Sequence, residues 1–71
     1  MDKKAILLLL DEIVELAPGT LNGNESTKEW DSIAVIGLIA LADEQFGKSL
    51  SAAQINAANT VDDIVNLLMA S

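Results

Sequence analysis

The residues best placed for chemistry are a carboxylate and a hydroxyl side by side, Asp31 and Ser32. They stand immediately before ten residues, Ile33 to Ala42, that carry no polar side chain. A serine in that position lies in the first turn of a helix, where unpaired backbone N–H groups and the helix dipole favour a negative group. A phosphate bonded to its hydroxyl would sit in a favourable field. Asp31 falls at the N-cap position, where a short carboxylate accepts from the exposed N–H groups. No base accompanies the pair. The chain has no histidine and no cysteine, which removes the commonest general base, thiolate catalysis, disulfides and the usual zinc sets. Asn22 and Asn24 have acids nearby, but their spacing fails the EF-hand pattern, so no metal site is expected. With no constellation of acid, base and nucleophile, an enzyme with its own active site is the least favoured reading.

The elements that must position this pair are few. Seventy-one residues make one expected domain, residues 1–71, with no room for a second core. The apolar residues are mostly Leu, Ile, Val and Ala, with a single Trp and a single Phe, a composition that favours helix over sheet. Eleven acids against four lysines give a net charge of −7. Such a balance repels phosphate backbones, which argues against nucleic acid as a partner and favours partners with basic surfaces. The N-terminal run MDKKAILLLLDEIVEL is interrupted by acids and lacks a cleavage site, so it is not read as a signal peptide. No run approaches the roughly 20 apolar residues of a membrane span. The expectation is a cytoplasmic monomer without membrane insertion.

Ile6, Leu9, Leu10, Ile13 and Leu16 share one face of a first helix over residues 3–16, leaving Lys3, Lys4, Asp11, Glu12 and Glu15 for the other. Ala17-Pro18-Gly19 is read as its stop. Residues 17–30, APGTLNGNESTKEW, form a long surface loop anchored by Leu21 and Trp30. A loop of that length in so small a domain is commonly tied to function. The second helix runs from Ser32 to Phe46 and ends at Gly47. Ser51 with Gln54 has the capping-box form and opens a short third helix over about 52–57. Thr60 with Asp63 opens a last helix whose Val61, Ile64, Val65 and Leu68 make one apolar face. The predicted fold is all-α, a small four-helix bundle with a long first loop and a short third helix.

The second helix is unlike the others. Val35, Leu38, Ile39, Ala42 and Phe46 keep the spacing of a core face. Ile33, Ile36, Gly37 and Ala40 then lie on the flank and far side, where charge would be expected. A helix apolar all round is buried on every side or exposes a surface meant to be covered. These four residues are read as a contact patch for other proteins, the alternative being permanent cover by a loop or a dimer mate. Gly37 costs about 1 kcal/mol relative to Ala inside a helix, which suggests a close approach there. Leu7, Leu8 and Leu10 are read as core packing rather than as a shelter for cargo, and Trp30 as a packing anchor.

Asp31-Ser32-Ile33 at the head of the second helix, with Asp43-Glu44-Gln45-Phe46-Gly47 at its end, resembles the acyl carrier proteins, whose motif runs Asp-Ser-Leu. Leu50 and Ser51 fall where that family turns toward its third helix. Asn59-Thr60-Val61 falls where its last helix begins, and Val65 and Leu68 match its final apolar positions. The resemblance covers nearly the whole chain, most specifically residues 30–68. It implies that Ser32 is esterified with 4′-phosphopantetheine, taken from coenzyme A by a phosphopantetheinyl transferase. It implies also that the chain carries acyl groups as thioesters, presenting them to acyl-loading and acyl-transferring enzymes. Asp31 would cap the helix and contribute to docking with the transferase. Fatty-acid carriers have acidic residues where this chain has Ala34 and Gly37, and a larger aliphatic where it has Ala58. Acidic docking is thereby left to Asp31, Asp43 and Glu44, with Ile33, Ile36 and Ala40 gripped hydrophobically. These departures point to a specialised lipid, polysaccharide or polyketide-like pathway. The alternatives are an aminoacyl or peptidyl carrier and, from another class, a helical interaction module that carries nothing.

Overall fold

The computed structural model describes residues 2–70, which form four helices: α1 (Lys3–Ile13), α2 (Ser32–Phe46), α3 (Ala52–Ala57) and α4 (Val61–Met69). Each begins on a short polar cap. Asp2, Asp31, Ser51 and Thr60 accept from the backbone N–H three residues on, and Ser51–Gln54 and Thr60–Asp63 are complete capping boxes. Each box satisfies two N–H groups that would otherwise lack partners. The four-helix, all-α expectation is met.

The first helix ends three residues earlier than its apolar spacing suggested. Glu15 takes the left-handed conformation, with φ 61°. Its N–H donates to the Glu12 carbonyl at 3.2 Å, and the Leu16 N–H donates to the Asp11 carbonyl at 2.8 Å. That pair of bonds is the Schellman termination, here on a residue other than glycine. Pro18 and Gly19 therefore lie beyond the stop rather than making it. The turn throws Leu16 outward, leaving it 42% exposed instead of on the core face.

Asp11, assigned to the polar face, is in fact buried at 1% exposure. Its carboxylate accepts the N–H groups of Gly19 (2.8 Å) and Leu21 (2.9 Å), so it ties the start of the long loop to α1. The rest of that loop is fastened to the α3–α4 junction. Val61 and Asp62 donate their N–H groups to the carbonyls of Glu25 (2.9 Å) and Gly23 (2.7 Å), and Thr27 donates to Asn59 (3.1 Å). These bonds also supply partners for the first turn of α4. The hydroxyl of Thr27 donates to the Ala58 carbonyl, and the Lys28 ammonium to the Asn56 carbonyl at 2.8 Å. Gly23, at φ 123°, has no room for a Cβ, which would overlap the Asp62 carboxylate.

The core gathers Ile6 and Leu10 of α1, Leu38 and Ala42 of α2, Ile55 of α3 and the predicted Val61, Ile64, Val65 and Leu68 of α4. Leu21 joins it from the loop as expected, and Trp30 packs half-buried against its edge. On α2 the buried residues are Ala34, Leu38 and Ala42. Val35, Ile39 and Phe46 were expected there too, but they are only half-buried at the margin. Alanines on the buried stripe let α2 sit close to its neighbours. A helix apolar on all sides gives the periodicity no contrast with which to choose a face. Of the three N-terminal leucines read as core packing, Leu10 is fully buried and Leu7 half-buried, whereas Leu8 points to solvent at 42% exposure. Ala58, small where a larger aliphatic was expected, is itself buried at the α3–α4 junction.

Candidate functional site

Ser32 is the first residue of α2 and is exposed. Asp31 before it has extended backbone, and its carboxylate accepts the Ala34 N–H at 2.9 Å while its carbonyl accepts from Val35 at 3.1 Å. The cap is thus made by Asp31, and the serine is left free to project from the positive end of the helix. The approach to this turn is fixed from the other side by Trp30, whose N–H donates to the Thr27 carbonyl at 3.1 Å. Thr27 is in turn bonded to Ala58 and Asn59. The serine therefore stands at the end of a loop that is irregular but tied at both ends.

The flanking apolar patch is present in part as expected. Ile33 is 77% and Ile36 65% exposed, and Ala40 also faces solvent. Gly37 is half-buried, because α1 approaches it. A Cβ there would meet Cγ2 of Ile13 at 3.2 Å. Gly37 thus belongs to the α1–α2 contact on one side and borders the patch on the other. Asp43 and Glu44 are exposed at the far end of the helix, where no basic residue accompanies them. Negative charge is unfavourable at a helix C-terminus, so these two carboxylates do not serve the helix that bears them.

A cleft of about 330 Å³ opens beside Ser32, between the end of α1, the end of the loop and the first turn of α2. Ile13, Val14, Leu16, Trp30 and Ile33 give it apolar walls, and Glu15, Glu29 and Asp31 contribute carboxylates. Sequence reasoning did not find this cleft, because it depends on the early break at Glu15. No residue pattern announces a left-handed turn on a glutamate. Among the described residues, no cluster of acids is placed to hold a metal ion, and no helix is long and apolar enough to cross a membrane.

An all-α four-helix bundle with a solvent-facing serine hydroxyl at the head of its second helix has the form of a covalently loaded carrier. The sequence matches the family described as phosphopantetheine attachment site over residues 9–68, and the chain belongs to that family. Its members are carriers of the acyl-carrier-protein type, bearing covalent 4′-phosphopantetheine and working with a phosphopantetheinyl transferase and further partner enzymes. No curated protein and no solved structure matches the chain.

Proposed function

We propose that Ser32 is the residue that receives 4′-phosphopantetheine, and that the chain carries acyl groups between enzymes of a specialised lipid, polysaccharide or polyketide-like pathway. The observation that carries the first part is the exposed position of Ser32 in the first turn of α2, with its cap supplied by the neighbouring Asp31. The donor set fits the group. A phosphodiester on that hydroxyl would lie beside the N–H groups at the start of α2, in the positive end of the helix field. When bound, the group supplies a thiol on a flexible arm, which this cysteine-free chain lacks. The chain's own part is to hold one oxygen in water, to orient the turn that bears it and to offer surfaces for docking. No base is needed beside Ser32, since activating the hydroxyl falls to the transferase.

Acyl rather than aminoacyl cargo is favoured by Asp31-Ser32, which resembles the acyl branch more than the Gly-His-Ser of many peptidyl carriers. Ile33, Ile36, Gly37 and Ala40 form the proposed docking patch, with Asp31, Asp43 and Glu44 as its charged flanks. Two exposed isoleucines where fatty-acid carriers are more polar support partners that grip by apolar contact. The test is the intact mass after incubation with coenzyme A and a broad phosphopantetheinyl transferase. The wild type should gain the mass of one phosphopantetheine and Ser32→Ala should gain none. An unmodified wild type with every transferase tried would overturn the assignment.

A further inference from the structure

We propose that the cleft beside Ser32 seats the 4′-phosphopantetheine arm between visits to partner enzymes, an inference that rests on Ser32 being the attachment point. Position is the first argument. Asp31 and Ile33, the two sequence neighbours of Ser32, both line the cleft, so it begins at the serine itself. Size is the second, for about 330 Å³ lies within the roughly 300–1,000 Å³ of small-molecule sites. The third is chemistry. Pantetheine has a geminal dimethyl carbon, a short carbon chain and two amide N–H donors. Val14, Leu16, Trp30 and Ile33 offer apolar surface to the first two features, and Glu15 and Glu29 offer carboxylate acceptors to the third. Carboxylates repel the phosphate, which keeps the charged end at the mouth, near the N–H groups of α2.

The backbone at the end of α1 adds an independent observation. Glu15 is the one non-glycine residue with positive φ among the described residues. A left-handed conformation on such a residue persists only where its surroundings hold it, and it clusters at ligand sites. Here it turns Leu16 out of the core, at 42% exposure, and places its side chain on the cleft wall. Without an occupant that exposure serves nothing in the fold.

The experiment compares apo protein with holo protein whose loading at Ser32 has been verified by mass, using methyl and indole nuclear magnetic resonance. The methyl signals of Val14 and Leu16, remote in sequence from Ser32, should shift on loading, as should the Trp30 indole. Cross-peaks should connect those methyls to the geminal methyls of the arm. Holo Leu16→Asp should lose the cross-peaks, while holo Met69→Asp, altered at an exposed residue of α4 outside the cleft, should keep them. Shifts confined to residues 31–34, or cross-peaks to α3 in place of α1, would sink this inference and leave the attachment site standing. Failure of the wild type to gain mass would sink both.

Discussion

At the scale of single residues, the fold depends on polar groups whose hydrogen bonds are spoken for. Asp11 is the clearest case: a carboxylate at 1% exposure that accepts two loop N–H groups. Truncating it leaves two donors short of partners and opens a void. Asp11→Ala is expected to cost about 2–3 kcal/mol of stability, since a hydrogen bond to a charged group is worth more than a neutral one. Urea unfolding followed by circular dichroism will measure it, and a loss under 0.5 kcal/mol would contradict the role assigned to Asp11. Nothing in the sequence distinguishes this acid from Glu12 beside it. Both fall on the side of α1 that charge patterning assigns to water, and only the return of the loop across the helix makes one of them interior. Ser32 was legible for the opposite reason. Its position needs just a cap, a helix start and an apolar run, all of them local in sequence.

At the scale of elements, α2 combines tight burial along one stripe with bare apolar surface along another. Ala34, Leu38 and Ala42 pack inward, while Ile33 and Ile36 stand in solvent. Ile36→Asp should therefore leave stability within about 0.5 kcal/mol of wild type, as for other surface substitutions. If Ile36 is a docking anchor, the same change should lower kcat/KM for modification by a phosphopantetheinyl transferase by roughly 5- to 30-fold, the equivalent of about 1–2 kcal/mol. The two measurements together separate a contact residue from a structural one. Helix ends were readable wherever the cap chemistry is local: Asp31, Gly47, Ser51–Gln54 and Thr60–Asp63 all function as their residue types suggest. The end of α1 was not, because apolar spacing continued through Leu16 while the backbone had already turned at Glu15.

Across the whole molecule, the radius of gyration of 10.7 Å is close to the roughly 11 Å expected for a compact chain of this length. So small a body relies on its loop to help close the core. Two exposed carboxylates at that closure respond to pH. The N–H groups of Gly23 and Asn22 hold Glu25 below the usual carboxylate range, and those of Asn59 and Thr60 do the same for Asp63. A depressed folded value means that their contribution is complete above the unfolded pKa of about 4 and fades as pH falls through the lower folded values. Stability should thus be level from pH 7 to 5 and decline below about pH 4, with a shallower decline in the Glu25→Gln, Asp63→Asn double variant. Denaturation midpoints across that range provide the check.

The bonds from Gly23, Glu25 and Thr27 to the α3–α4 junction have a further consequence for how the chain comes apart. Loop and last helix form one cooperative opening unit, so the amide protons of Thr27, Val61 and Asp62 should exchange with solvent at a shared rate. Loss of the C-terminal helix would then be felt far upstream, as slackness in the strap of chain that delivers the serine to the surface.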